Sequence, residues 1–368
     1  MHVVHIVRDL DVASGGPSRS VPALAESQSR FEGLKITVLY QDRGNPMVQM
    51  PNSVVEYQAL SGSVRGWHST IKPGESLIYH LHGLWSPELH HAAKLARSKR
   101  IPYVVSARGM LADWALGHKA LKKKVAWKLY QQRDLKNASC LLASTKFEQQ
   151  DIEALLPGSR VVAIPNGCAT RPADIEDSYV LPGPSGILWA LAMGRLHPVK
   201  GYAELIEAWA SFNPPGWKLA IAGPDEAGYR ATLESLIAKH GLADRVFLIG
   251  EVDDARKWSL LDQCELFVAP SKTENFGMAI AEALQSGTPV ITTTGTPWCE
   301  IQEYNCGWWI EPDTGSITRS LKEAIALEAE ALKEKGARGR KLITEKYSWQ
   351  QAAARTIELY RSILISPC

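Results

Sequence analysis

Short apolar runs punctuate the chain, and most of them are continuous rather than alternating. Val3 to Val7, Lys35 to Tyr40, Ser76 to His80, Tyr103 to Ser106, Cys140 to Ala143 and Arg160 to Ile164 are rich in Val, Ile and Leu. A strand with one wet face alternates with period two. These runs show little of that, which predicts a parallel sheet covered on both faces. Between them the spacing turns helical, over Ser18 to Arg30, Glu88 to Ser98 and Lys119 to Leu135. A break follows at Pro165-Asn166-Gly167, and Pro and Gly crowd the stretch on to Leu181-Pro182-Gly183-Pro184-Ser185-Gly186, as in linkers. The pattern then restarts. Ile187 to Ala192, Lys218 to Ala222, Val246 to Ile249, Leu266 to Ala269 and Pro289 to Thr292 read as strands. Gly201 to Phe212, Arg230 to His240, Asp254 to Cys264 and Met278 to Gln285 read as helices. Two such alternations predict two doubly wound α/β domains, residues 1–168 and 187–349, joined by a linker over 169–186. The last stretch, Ser348 to Ile363, is one amphipathic helix with Ile357, Tyr360 and Leu364 on one side.

Composition narrows the picture. The chain has 368 residues, too many for one ordinary domain and enough for two cores. A net charge of +2 argues against a globally basic nucleic-acid binder, though a local basic face remains open. The first residues read at once as a strand, without a charged leader, and no apolar run nears the ~20 residues of a membrane span. A cytosolic location is therefore expected. The six cysteines, Cys140, Cys168, Cys264, Cys299, Cys306 and Cys368, form no CxxC pair and are expected as reduced thiols. No His or Cys spacing suggests zinc, and no metal is expected.

The strongest chemical signal is Pro270-Ser271-Lys272-Thr273-Glu274-Asn275-Phe276-Gly277-Met278, running on through Glu282. It leaves a strand and enters a helix, where free backbone N–H groups and the helix dipole hold anions. Gly277 lets a phosphate approach the backbone. Glu274 and Glu282 accept hydrogen bonds from hydroxyls, so the pair suits a sugar on one side of a phosphate and a ribose on the other. Either carboxylate alone is as readily an ordinary helix charge. The second signal is Gly194-Arg195-Leu196-His197-Pro198-Val199-Lys200-Gly201, again between strand and helix. Arg195 can grip a diphosphate through its guanidinium fork and Lys200 adds a point charge, although alone these read as two surface cations on a turn.

Weaker signals lie in the first half. Ser14-Gly15-Gly16-Pro17 precedes a helix without a full GxGxxG, so a tight turn is the default. Asp9-Leu10-Asp11 has the form of a short DxD, read here as loop chemistry. His80-Leu81-His82-Gly83 and Ser106-Ala107-Arg108-Gly109 end neighbouring strands at the edge where such sheets bind ligands, with His82 nearer the loop than His80. Leu116 to Lys136 carries Lys119, Lys122, Lys123, Lys124, Lys128, Arg133 and Lys136 against Asp134, with Leu121, Val125 and Leu129 four apart. That pattern fits a helix lying on an anionic membrane surface, and equally a surface helix whose stripe faces the core.

Together these residues resemble the family-four retaining glycosyltransferases of the GT-B fold, and Ser106 to Leu111 with the Lys-rich helix after it resembles members that build bacterial surface polysaccharides. The resemblance rests on Gly194-Arg195, Lys200-Gly201, the Glu274 and Glu282 pair, Ile164-Pro165-Asn166-Gly167 and Tyr347-Ser348-Trp349. It implies two Rossmann-like domains facing a central cleft, an acceptor domain first and a donor domain second. The final helix, residues 350–368, would cross back to the first domain. It implies that Arg195 and Lys200 bind the donor diphosphate, Glu274 the sugar and Glu282 the ribose. Asn275, Phe276, Gly277, Met278 and Gly194 would line the donor, Glu251 and Val252 the base, and Gly15 and Gly16 the phosphate from the first domain. Where many members carry a histidine near the donor sugar, this chain has Arg108. Either Arg108 sits beside the reacting centre or His82 takes the polar role. The implied reaction retains configuration and needs neither metal nor cofactor, the leaving diphosphate being stabilised by Arg195, Lys200 and the helix start. UDP-hexose, with glucose first, is the expected donor and GDP-mannose the alternative. A glycan or lipid-linked oligosaccharide is the expected acceptor. An epimerase or a non-catalytic nucleotide-sugar binder are the remaining rivals; a dehydrogenase lacks its glycine fingerprint.

Overall fold

The computed structural model describes residues 1–48, 50, 54–60, 63–71, 75–117, 120–171, 180–182 and 186–365. Most of the predicted linker, together with Lys119 and Cys368, lies outside the described residues. The chain divides into two compact units, Met1–Gly167 with Ser348–Cys368, and Cys168–Tyr347.

The first unit carries seven strands: β1 His2–Val7, β2 Lys35–Tyr40, β3 Glu56–Ala59, β4 Leu77–His82, β5 Tyr103–Ser106, β6 Cys140–Ala143 and β7 Val161–Ala163. They run parallel in the order β3-β2-β1-β4-β5-β6-β7. Successive side chains of a strand point to opposite faces. Val4, Ile6, Tyr79, Leu81 and Val105 accordingly pack with the helix Pro87–Lys99, while Val3, Val7, Ile36, Ile78 and Val104 face the other way. On that second face lies the final helix, Trp349–Ile365, through Leu359, Tyr360 and Ile363. Ile363, not the expected Leu364, is the buried member of its stripe. The expected helix over Lys119 to Leu135 is continuous from Ala120 to Lys136, with a π-helical segment at Trp127–Gln131.

The second unit carries six strands: β8 Leu188–Met193, β9 Trp217–Ala222, β10 Val246–Gly250, β11 Leu266–Ala269, β12 Val290–Thr293 and β13 Gly307–Ile310. Their order is β10-β9-β8-β11-β12-β13, again parallel. Leu191, Ala220, Phe267 and Val290 pack with the helices Met278–Ser286 and Ala329–Lys346. Ala190, Leu219, Val268 and Ile291 pack with Tyr202–Ala210 and Thr314–Ile325. In each sheet the chain builds outward one way and then returns beside its first strand. The strand order therefore reverses between β1 and β4, and between β8 and β11. Ligands of open α/β sheets bind in the crevice at such a point, beyond the carboxyl ends of the strands.

Candidate active site

In the second unit the reversal point gathers the two motifs that stood out in the sequence. The loop leaving β8 carries Gly194, Arg195 and Lys200; the loop leaving β11 carries Ser271 to Gly277. They are held tightly together. Lys272 N donates to the Val199 carbonyl at 2.8 Å and Glu274 N to the Gly295 carbonyl at 2.9 Å. A Cβ on Gly201, whose φ is +71°, would fall on the Pro270 carbonyl, so only glycine allows this approach. The result is a salt bridge between Lys200 Nζ and Glu274 Oε1, with Ser271 Oγ donating to the same oxygen at 2.9 Å. Both charged side chains are 17% exposed. The cation assigned to phosphate and the carboxylate assigned to sugar thus hold each other.

Glu282 is paired as well. Lys257 Nζ lies 2.7 Å from Glu282 Oε1 and 3.0 Å from Asp254 Oδ1. Burial works against the Lys257 charge, but the two carboxylates outweigh it and its pKa is raised. Lys257 went unmarked in the sequence because a single lysine in an amphipathic helix carries no signal. Arg195 is more open, its Nη1 2.6 Å from Glu226 Oε2 at a pair 54% and 39% exposed. Gly277 begins the nine-residue helix Met278–Ser286 at φ +81°, and no side chain caps that end. Its N–H groups and dipole are therefore available to an anion. Behind it Phe276 is buried, its carbonyl accepting from Trp298 Nε1 at 2.6 Å, with the Tyr347 ring edge-on to Phe276 and tilted against Trp298. Phe276 thus fixes the loop through its backbone and ring. Asn275 and Met278 are half-buried; Glu251 is exposed, and Val252, just beyond β10, packs against the core beneath the helix.

The first unit offers a different arrangement. Gly15 (φ +78°) and Gly16 open the helix Gly16–Ser29 with free space above both. Asp9 is engaged by Arg8 at 2.8 Å and Arg43 at 3.3 Å, and Asp11 by Asn45 at 2.8 Å, so the DxD is taken up in loop contacts. His82, expected as the better site candidate because it lies nearer the loop than His80, is as deeply buried as its neighbour. Arg108, with φ +57°, donates to Asn166 at 2.8 Å, Ser20 at 3.1 Å and His82 Nδ1 at 3.1 Å. An arginine can only donate, which assigns the tautomers. His82 must carry its proton on Nε2 and give it to His5 Nδ1, 2.9 Å away. His5 then gives its own to Gln28 Oε1 at 2.7 Å, and Gln28 donates to Thr356 Oγ1 at 2.8 Å. His80 spans Tyr360 at 2.6 Å and Ser106 at 2.7 Å.

Burial holds His5 down to about 4, and holds His80 and His82 well below the ordinary histidine value. It also lowers Arg108 to about 10, which leaves it cationic at neutral pH. The three imidazoles are close enough together to surround a metal ion. Their nitrogens are instead committed to one another and to Arg108, Gln28, Tyr360 and Ser106. This is a neutral network anchored on one cation. His5, Gln28 and Tyr360 were missed as its members because they lie on different elements, at no readable spacing.

Comparison with known proteins bears on the family and the fold. Residues 184–357 match the family described as Glycosyl transferases group 1, and residues 2–167 match the Glycosyl transferase 4-like domain. The GDP-mannose:cellobiosyl-diphosphopolyprenol alpha-mannosyltransferase of Xanthomonas campestris is 26% identical, over 100% of this chain and 98% of its own. Among solved structures, sucrose-phosphate synthase from Thermosynechococcus elongatus superposes with a TM-score of 0.77 at 18% identity, covering 99% of this chain and all of that one. Anabaena HepE, in complex with UDP and glucose, gives 0.71 at 18% identity over 98% of this chain and 100% of its own.

Proposed function

The chain belongs to the group 1 glycosyl transferases of the GT-B fold and is a glycosyltransferase; on that premise we propose that it moves a hexosyl group from a nucleotide sugar to a glycan or lipid-linked oligosaccharide with retention of configuration. The observation that carries this reading is the Lys200–Glu274 pair beside the uncapped helix at Gly277. A donor diphosphate would draw Lys200 and Arg195 from their carboxylate partners. Glu274 would then be free to accept from sugar hydroxyls, and Glu282 to accept from the ribose. As the glycosidic bond breaks, negative charge grows on the diphosphate, where the two cations and the helix N–H groups stabilise it. The acceptor hydroxyl attacks from the leaving-group face, and a donor phosphate oxygen takes its proton. Glu274 orients the sugar.

For the donor we propose GDP-mannose, because a relative matching this chain end to end is named for that donor. UDP-hexose is the second reading; HepE holds UDP and glucose on a similar fold. Thermal-shift measurements with GDP, UDP, GDP-mannose and UDP-glucose separate the two. A ligand at a hundredfold its Kd adds about 2.7 kcal/mol, several degrees in Tm for a domain of ordinary size. Stabilisation by UDP and not GDP selects the second reading, and no response to any nucleotide overturns the proposal. Donor consumed without acceptor would indicate an epimerase.

A further inference from the structure

Tyr202 opens the helix Tyr202–Ala210, directly after the second motif. It is 2% exposed and lies in the core with Ala192, Leu196, Ile221 and Val268. Packing alone asks for a large apolar ring there, and phenylalanine would meet that need. Only the hydroxyl distinguishes tyrosine, and it lies at the loop leaving β8. A Cβ on Gly194 would stand 3.0 Å from the Tyr202 hydroxyl oxygen, 3.4 Å from Lys200 Cε and 3.6 Å from Lys200 Nζ. The missing side chain of Gly194 therefore leaves a space bordered by two hydrogen-bond donors. Lys200 is engaged by Glu274, whose Oε1 also accepts from Ser271. The Tyr202 hydroxyl, among the described residues, makes no hydrogen bond. Burial first, and the Glu274 charge after it, push its pKa above the ordinary tyrosine value. At neutral pH it is therefore an intact O–H that can donate.

We propose that Tyr202 is a further residue of the donor site, its hydroxyl donating to a phosphate oxygen seated beside Gly194 and shared with Lys200. The inference rests on the reading of this loop as a diphosphate site. The chemistry of the space selects the ligand atom. An ammonium has hydrogens to give and no lone pair to offer, and the un-ionised phenol beside it has a hydrogen without a partner. An oxygen that accepts twice and gives nothing is a phosphate oxygen. A sugar hydroxyl has a proton to place as well, and Glu274 is the acceptor for it. The buried ring fixes the hydroxyl in position before a ligand arrives, so little side-chain freedom is lost on binding. It also brings no charge, and so leaves the Lys200–Glu274 pair balanced. As the glycosidic bond breaks and charge grows on the diphosphate, the same hydrogen bond strengthens.

The test is Tyr202→Phe, which removes one oxygen and keeps the ring. Its Tm should match that of the unaltered protein, because no hydrogen bond within the protein is lost. Titration calorimetry, with whichever of GDP and UDP the protein binds, should show Kd raised about tenfold or more, the scale of one hydrogen bond to a charged group. The nucleotide sugar should show the same loss. In transfer assays kcat/KM should fall further than binding does, since the bond is strongest in the transition state. A diphosphate Kd that Tyr202→Phe leaves unchanged overturns the inference alone. So does a loss confined to the nucleotide sugar, which would give the hydroxyl to the sugar. A Tm lowered by several degrees overturns it too, because the hydroxyl would then serve the fold. An unaltered protein that binds neither GDP nor UDP overturns the reading of the loop, and this inference with it.

Discussion

The two sheets reverse their strand order in the same way, yet their reversal points carry opposite kinds of polar group. In the second unit they are full charges, paired with one another and, apart from the buried Glu282, part-exposed: Lys200 with Glu274, Lys257 with Glu282, Arg195 with Glu226. In the first they are neutral imidazoles in a buried chain of hydrogen bonds that runs from Arg108 to Thr356. The difference is one of exchangeability. An ion pair near water gives up a partner to a charged ligand at little net cost, because the incoming charge replaces the lost one. A buried neutral network has no such substitute, and breaking one link leaves a desolvated donor or acceptor. The second unit is built to trade partners with a charged molecule, and the first to keep a fixed shape around Arg108.

The sharpest test of that contrast removes an exchangeable pair. Lys200→Ala or Glu274→Ala should lower kcat about a hundred- to a thousandfold, the scale of losing one group aimed at developing charge or at the reacting sugar. The double change Lys200→Met/Glu274→Gln leaves no unpaired charge behind, so its Tm should return toward that of the unaltered protein while activity stays lost. Full activity in either single variant would end the case for this site.

The first unit answers to pH instead. The His5 pKa is about 4 in the folded chain and near 6.5 in the unfolded one. A lowered pKa means that the unfolded chain binds more protons between these values, so stability rises with pH there. It is fully present above about 6.5 and is lost as pH falls toward 4, by about 3 kcal/mol for His5 alone at 1.36 kcal/mol per unit. His80 and His82 shift in the same direction and add to the loss. Denaturant midpoints at pH 8 and pH 5 measure it. His5→Gln, which cannot charge, should flatten the difference; an unchanged slope would show that the network does not set the acid limit.

How much of this could be read beforehand depended on how local each signal was. Buried central strands announced themselves as apolar runs, and Lys35–Tyr40, Tyr103–Ser106, Cys140–Ala143 and Leu266–Ala269 fall where the runs do. The edge strands Glu56–Ala59 and Gly307–Ile310 did not; neither contains a buried residue, and Glu56–Ala59 has no continuous apolar run. Arg195, Lys200, Glu274 and Gly277 sit in two continuous loops and were legible as motifs. Lys257, Glu226, His5, Gln28 and Tyr360 meet those loops or each other only through the fold. The exposure of Leu121, Val125 and Leu129 was undecidable from spacing, since a four-residue repeat gives a stripe without saying which way it faces.

A smaller effect is expected at Glu282. Glu282→Gln keeps a hydrogen-bonding group but loses the charge that Lys257 and a ribose hydroxyl both need. Nucleotide Kd should rise about tenfold, some 1.4 kcal/mol, with kcat at saturating donor little changed. Lys257→Met should shift Kd in the same direction, through the freed and reoriented Glu282. Titration calorimetry with the nucleotide alone reads both, and a Kd unmoved in both variants would place the ribose elsewhere.

The smallest effect separates a partner that is exchanged from one that is merely near. Arg195 and Glu226 form an exposed pair, which contributes about 0–1 kcal/mol to stability, so Glu226→Gln should leave Tm almost unmoved. If Arg195 leaves Glu226 to reach the donor, that same change removes a competitor. The donor should then bind about twofold more tightly, and the gain should vanish in Arg195→Ala/Glu226→Gln. Weaker donor binding in Glu226→Gln would mean that the glutamate holds Arg195 in place for the diphosphate. The pair would then be fixed geometry of the kind seen around Arg108, and the contrast between the two units would stop at Lys200 and Glu274.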